Sequence, residues 1–147
     1  MSDSSEIKLE TRLRVLRILW FAMMMNVVVL FLVTLFFNRP MPQVESTMAL
    51  LFPAIGLVIT ALSFVVRNKM LNVAINSQQV QAVQPAFIIA WAMCEVSALL
   101  GVFESLTLGS RSYIVMFVIS ELGMFLHTPK FDHLAAANYK QSGGMSA

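Results

Sequence analysis

Four long apolar runs constrain the fold of this chain more than any other feature. They extend over residues 18–37, 48–66, 86–103 and 113–126, and few charged residues interrupt them. A helix rises about 1.5 Å per residue, so a run of about 18 or more apolar residues can cross a hydrocarbon core about 30 Å thick. The runs therefore predict four membrane spans, of which the fourth is the shortest.

The same runs predict helices. Backbone amides inside a bilayer must be hydrogen-bonded within the protein, which helices achieve along their own length. A β-barrel would need segments of about ten residues in which apolar and polar residues alternate, and these runs do not alternate. Hydrophobic residues make up 58% of the chain and charged residues 12%, whereas a soluble domain is about 25% charged. The first run ends in bulky residues, which indicates a retained anchor and not a cleaved signal peptide. We predict an all-α fold, a polytopic membrane protein built as a four-transmembrane-helix bundle.

The basic residues predict the orientation. With four spans, the N-terminal segment 1–17, the loop after the second span and the tail 131–147 share one side, which carries Lys8, Arg12, Arg14, Arg17, Arg67, Lys69, Lys130 and Lys140, while Arg39 and Arg111 lie on the other. Three spans would reduce this contrast of eight against two to six against four. Because cytoplasmic loops hold the excess of Lys and Arg, we expect a multi-pass inner-membrane protein with both termini in the cytoplasm.

The segments outside the spans carry weaker signals. Residues 1–17 read as an amphipathic cytoplasmic helix whose apolar face bears Leu9, Leu13 and Leu16 and which lies along the membrane surface near anionic lipid. Glu10 and Arg14 are spaced for an ion pair one turn apart. The glutamine-rich loop 67–85 predicts a solvated connector, a short interfacial helix or a docking surface. Residues 18–130 form the transmembrane domain, and the end of the tail from residue 141 is expected to be disordered.

Three polar residues inside the spans are the candidate functional site. Glu95, Glu121 and Asn26 lie about 15, 9 and 12 Å from the cytoplasmic ends of their spans, counted at the helical rise. They are therefore expected in one layer of the bundle, where neutral carboxyls and the amide share hydrogen bonds. Such groups either hold helices together or bind protons or cations.

Small residues predict where helices approach most closely. Ala90, Cys94, Ala98 and Gly101 line one strip of the third span, and Gly56 lies in the second. Strips of small residues let a neighbouring helix pack at short distance. The second and third helices are therefore expected at the centre of the bundle.

Other classes of site have little support. The single cysteine cannot form an internal disulfide, and His127 and His133 lack the spacing of metal ligands. Glu104 ends the third run and has Arg111 as its expected partner. The net charge of +2 is small and does not indicate binding to nucleic acid. We predict no metal, no cofactor and no catalytic residues, because no nucleophile–base pair is visible.

The third span carries two resemblances. The stretch Ala92-Met93-Cys94-Glu95-Val96-Ser97-Ala98-Leu99-Leu100-Gly101-Val102, with the ending His127-Thr128-Pro129 of the fourth span, resembles a group of uncharacterised bacterial four-span inner-membrane proteins, which implies no activity. The same stretch is similar to the ion-binding helix of ATP synthase c subunits, the rotor-ring proteolipids. That resemblance implies that Glu95 is a proton-binding carboxyl. The second span departs from that family, since it contains Gly56 and no repeated glycines.

Two functions follow as hypotheses. The first is a structural or accessory subunit, or an oligomer, whose partners are the lipid bilayer and other membrane chains and not nucleic acid. The alternative is binding or translocation of protons or cations through Glu95 and Glu121, with Asn26 assisting. An enzyme ranks third.

Overall fold

A computed structural model describes residues 3–37, 48–109 and 111–143. Its regular elements are α1 (Asp3–Phe37), α2 (Met48–Asn76), a short 3-10 helix (Val80–Ala82), α3 (Val83–Leu108), α4 (Tyr113–Leu126) and α5 (Phe131–Gly143). These ranges contain no strand, so the all-α prediction is confirmed.

The long helices are compatible with a multi-pass membrane protein. Within the described ranges, three stretches are long and apolar enough to cross a bilayer, Ile7–Phe37, Leu50–Asn76 and Val80–Leu108. A fourth span results if Tyr113–Leu126 and Phe131–Asn138, which are bent by 47° to each other, count as one. Large apolar side chains cover the outside of the bundle, among them Phe36, Leu57, Phe103 and Leu126. A lipid environment would remove this surface from water.

The packed centre of the bundle lies between α2, α3 and α4. Helices α2 and α3 share the most extensive interface, and α3 packs next most extensively on α4. Helix α1 lies across α3 and α4. Its Val27 is fully buried and belongs to a cluster with Cys94, Ala98, Phe117 and Met124.

A second apolar core lies at the basic end of the bundle. It joins the first turns of α1 to the ends of the other helices through Leu9, Leu13, Leu16, Leu71, Ala74, Val83, Phe87, Leu134 and Ala137. The apolar face of the N-terminal segment is therefore buried against protein, not laid on the membrane surface. The first turns of α1, helix α5 and the α2–α3 connection meet at this one end.

Two connections are more helical than the sequence predicted. Helix α2 continues past Arg67 to Asn76, and α3 begins at Val83, so the expected loop shrinks to a tight turn in which Gln78 has a positive φ of 54°. Burial of Leu71 and Ala74 in the second core explains the extension. The tail forms α5 up to Gly143, so the disorder expected from residue 141 is wrong for residues 141–143, and residues 144–147 lie outside the described residues.

Candidate functional site

The end of α4 is enclosed by donors from three other helices. The indole of Trp20 in α1 donates to the carbonyl of Met124 at 2.8 Å, and that of Trp91 in α3 donates to the carbonyl of His127 at 3.3 Å. Arg67 in α2 donates to the carbonyl of Leu126 at 3.3 Å. The last four carbonyls of a helix lack partners within the helix. The three side chains bond the carbonyls of Met124, Leu126 and the following His127, and Thr128 bonds the carbonyl of Phe125. The guanidinium also complements the negative end of the helix dipole.

The imidazole of His127, which immediately follows α4, is completely buried and bonded on both nitrogens. Its Nδ1 lies 2.8 Å from a guanidinium nitrogen of Arg67, and its Nε2 lies 2.7 Å from Oγ of Ser63. Because arginine only donates, Nδ1 must accept and Nε2 must carry the ring proton. The Ser63 hydroxyl in turn donates to the carbonyl of Thr60 at 2.6 Å. The ring also packs on Phe64, with centroids 4.1 Å apart.

This geometry does not activate Ser63 as a nucleophile. A general base must accept the hydroxyl proton, whereas Nε2 of His127 already donates to that oxygen. Burial, and then the neighbouring charge of Arg67, lower the pKa of His127 to about 4. The cluster is thus a neutral histidine held between α2 and α4, suited to join helices.

Further polar contacts cross the middle of the bundle. Ser97 in α3 donates to the carbonyl of Gly56 at 2.9 Å, and Thr60 lies 3.0 Å from the same hydroxyl. Ser120 in α4 donates to the carbonyl of Cys94 at 2.8 Å. Each bond links two helices, so these hydroxyls act in packing.

Asn26 and Glu95, two of the three predicted site residues, are brought together. The Asn26 amide of α1 donates to Oε1 of Glu95 in α3. Asn26 is exposed on the surface of the bundle, and Glu95 is partly buried. The pair faces outward from the packed centre.

Glu121 lies apart from that pair, on the other flank of α1. It lines an apolar groove of about 290 Å³ between α1 and α4, together with Val27, Val28, Phe31 and Phe117. Successive helical residues are about 100° apart, so Asn26 and Val28 point to opposite sides of the buried Val27. In the described part of the chain, Oε1 of Glu121 is buried without a hydrogen-bond partner. Asn26 and Glu95 are therefore in contact, but Glu121 lies on a different side of α1, so the three residues do not form the single layer that the sequence predicted.

The predicted packing residues lie in close interfaces. Ala90, Cys94 and Ala98 are completely buried. A Cβ added to Gly101 would lie 2.9 Å from Cβ of Met116, and one added to Gly56 would lie 2.6 Å from the terminal carbon of the same methionine. Gly123, which the sequence analysis did not name, is packed as closely against α2, because an added Cβ would lie 2.6 Å from Cγ2 of Thr60.

Sequence reasoning missed the cluster of Ser63, Arg67 and His127. The available signal was that Arg67 and His127 each follow the end of a span predicted to finish on the same side. Glu104 also differs from its expected place at a helix end, since it is buried within α3 and accepts a hydrogen bond from Ser112. Over the described ranges, no group of three or more His, Cys, Asp or Glu is arranged to hold a metal ion.

No family model, curated protein or solved structure matches this chain.

Proposed function

We propose that this chain is a non-catalytic helix-bundle subunit of the bacterial inner membrane that assembles with a second copy through the α1/α4 groove. The observation that carries the proposal is Glu121, whose buried carboxyl oxygen has no partner among the described residues and which lines an otherwise apolar groove. A carboxyl in such surroundings is costly unless another group bonds it.

The internal polar residues support a structural role. Ser97, Ser120 and His127 all make hydrogen bonds between helices of the same chain. The hydroxyl protons of Ser97 and Ser120 are donated in these bonds, and both ring nitrogens of His127 have a partner. Glu121 differs from them because it faces a groove open to the outside of the bundle.

A second copy is the partner best suited to Glu121. A neutral carboxyl has one O–H donor and one carbonyl acceptor, so two of them pair reciprocally. A two-fold interface brings the same patch of both subunits together, which places like residues opposite each other. Phe31 and Phe117, which line the groove, would supply apolar packing around the carboxyl pair.

Proximity of two copies tests this proposal. Val118 lines the groove and Val65 is exposed on α2, so Val118→Cys and Val65→Cys serve as probe and matched control. Cys94 is buried and gives a low background. In membranes, we expect crosslinking between copies at Val118→Cys and not at Val65→Cys. Adding Glu121→Leu should abolish the crosslink, whereas Glu121→Gln, which keeps a donor and an acceptor, should retain it.

Two outcomes would contradict self-association. One is equal crosslinking at both cysteines, and the other is crosslinking that survives Glu121→Leu. Crosslinking of Val118→Cys to a different membrane protein alone would replace the second copy by a partner chain and make this chain an accessory subunit.

A second candidate function is proton or cation binding at Glu95. The observation that favours it is the bond from the Asn26 amide. An amide can donate to an ionised carboxyl through its N–H and accept from a protonated one through its carbonyl, so the pair suits reversible proton binding. Reconstituted vesicles test this: proton flux that disappears in Glu95→Gln supports it, and wild type that moves no ions contradicts it.

We further propose that both termini are cytoplasmic. In support, α1, α5 and the α2–α3 connection meet at one end of the bundle, and that end carries Arg14, Arg17 and Arg67. Fusing a reporter to either terminus tests the orientation. Reporters on opposite sides of the membrane would contradict it.

A further inference from the structure

A pocket at the basic end of the bundle lies where α5 folds back on α1. It measures about 520 Å³, and its wall includes Arg14, Arg17, Ile18 and Phe21 of α1 and Phe131 of α5. Its place along α1 spans the boundary of the first predicted span, which begins at Ile18. One pocket therefore reaches from the water-facing side to the hydrocarbon edge.

The apolar part of the pocket faces the membrane side. Ile18 and Phe21 are 62% and 60% exposed, and Phe131 is 39% exposed. All three belong to the pocket wall. They offer a surface on which an acyl chain can lie, because burial of apolar surface is favourable whatever its shape.

The charged part lies one turn further from the membrane. Arg14 and Arg17 are three residues apart and so share a helix face. Both are exposed, and over the described ranges no carboxylate lies within ion-pair distance of either. The expected Glu10–Arg14 ion pair is thus not formed. Two free guanidinium groups beside an apolar wall are suited to a phosphate group, which arginine binds through charge-assisted hydrogen bonds.

Glu10 completes the order of groups along α1. It lines the same pocket one turn beyond Arg14, on the side away from the membrane. The pocket thus presents, from the bilayer outward, apolar side chains, then two positive charges, then one negative charge. A phospholipid with an amine headgroup has the complementary order of acyl chain, phosphate and ammonium.

We propose that this pocket binds one aminophospholipid, with its phosphate at Arg14 and Arg17, its ammonium at Glu10 and an acyl chain against Phe21 and Phe131. This site is distinct from the Glu121 groove and does not depend on self-association. A lipid held here would tie α5 to α1 at the membrane surface.

Native mass spectrometry of the full chain in mild detergent tests the proposal. The probes are phosphatidylethanolamine, phosphatidylglycerol, phosphatidylcholine and free phosphoethanolamine. We expect phosphatidylethanolamine to bind most tightly and free phosphoethanolamine not to compete at equal concentration. Replacing one arginine, as Arg14→Gln or Arg17→Gln, should weaken lipid binding about tenfold, or about 1.4 kcal/mol, since it removes a charge-assisted hydrogen bond to the phosphate.

Matched variants separate the pocket from general surface charge. Arg12→Gln removes the same charge from α1 at a residue outside the pocket wall and should leave binding unchanged. Glu10→Gln should remove the preference for phosphatidylethanolamine over phosphatidylglycerol. Circular dichroism checks that each variant keeps its helices. Equal loss in Arg12→Gln and Arg17→Gln, competition by free phosphoethanolamine, or a preference for phosphatidylcholine would overturn the proposal.

Discussion

Arg67 donates a hydrogen bond to Nδ1 of His127 at 2.8 Å, and this contact fixes which nitrogen of the ring carries the proton. The other nitrogen then donates to Ser63, so a serine and a histidine that lie 2.7 Å apart form a structural link and not a catalytic pair. The guanidinium also lies 5.5 Å from the ring centre of Phe64, within the range of a cation–π contact. Arg67 thereby joins α2 to the end of α4 by two hydrogen bonds, to His127 and to the carbonyl of Leu126, while its contact with Phe64 lies within α2.

The state of His127 predicts a loss of stability in acid. Its pKa is lowered from 6.5 to about 4 in the folded protein, by burial first and by Arg67 second. The unfolded chain therefore takes up a proton before the folded chain does, and folding stability falls as the pH decreases from about 6.5 toward 4. We expect a lower melting temperature in detergent at pH 5 than at pH 7.5.

Two histidine variants identify the source of that pH dependence. His127→Gln should reduce the difference between the two melting temperatures. His133 gives the control, because burial also lowers its pKa. His133→Gln should leave unchanged the part of the pH dependence that is due to His127. An unchanged pH dependence in His127→Gln would show that another group is responsible.

Two glycines in the α2–α3 region should respond differently to alanine. At Gly101 a new Cβ would meet Cβ of Met116 at 2.9 Å and the carbonyl of Tyr113 at 3.2 Å, neither of which can move away easily. We expect Gly101→Ala to reduce the free energy of unfolding by about 1–3 kcal/mol. At Gly56 the nearest atoms belong to the flexible end of the Met116 side chain, which can move away. Gly56→Ala should therefore change the free energy of unfolding by less than about 1 kcal/mol. Chemical denaturation of both variants side by side measures the contrast, and equal losses would contradict it.

The hydrogen bond between Asn26 and Glu95 should contribute modestly to stability. Hydrogen bonds between membrane helices contribute about 0.6 kcal/mol on average and up to about 1.7 kcal/mol. A double-mutant cycle with Asn26→Leu and Glu95→Leu should give a coupling free energy in that range. Glu95→Gln retains an acceptor for the amide and should be less destabilising than Glu95→Leu. A coupling of zero would mean that the two side chains do not interact in the membrane.

The indole of Trp20 should stabilise the end of α4. Trp20→Phe keeps an aromatic ring but removes the donor to the Met124 carbonyl. We expect a loss of about 0.5–1.5 kcal/mol in the free energy of unfolding, the usual net value of one hydrogen bond. Phe36, exposed near the other end of α1, is the control, since Phe36→Leu should have a smaller effect. The reverse order of the two losses would contradict this role.

The helical architecture follows from sequence because hydrophobic length and polarity act locally. The bounds of α4, Tyr113–Leu126, equal the predicted run, since the run stops at polar residues. The end of α2 does not, because Arg67 and Lys69 suggest a boundary while Leu71 and Ala74 are buried by distant α1, α3 and α5. Contacts with other helices cannot be recognised from the charges near residue 67, so the true end of α2 could not be predicted.

The candidate site was less predictable for a related reason. Depth along a helix follows from counting residues, so Asn26 and Glu95 could be expected at a similar level. Which side of α1 each carboxyl occupies depends on how the helices rotate against each other, and that rotation follows from the packing of Val27. The hydrogen bonds of His127 require three chain segments and could not be derived from spacing.

Helix α4 has 14 residues, which span about 21 Å, against about 30 Å for the hydrocarbon layer. Because Trp20 and Arg67 bond the carbonyls of Met124 and Leu126 and Thr128 bonds that of Phe125, the end of the helix is satisfied without a further turn. A span made of α4 alone would therefore be shorter than those of α1 and α3, and lipids beside it would compress to meet it. Such hydrophobic mismatch costs a fraction of a kcal/mol per Å, so a span of this length would favour regions of membrane with short acyl chains.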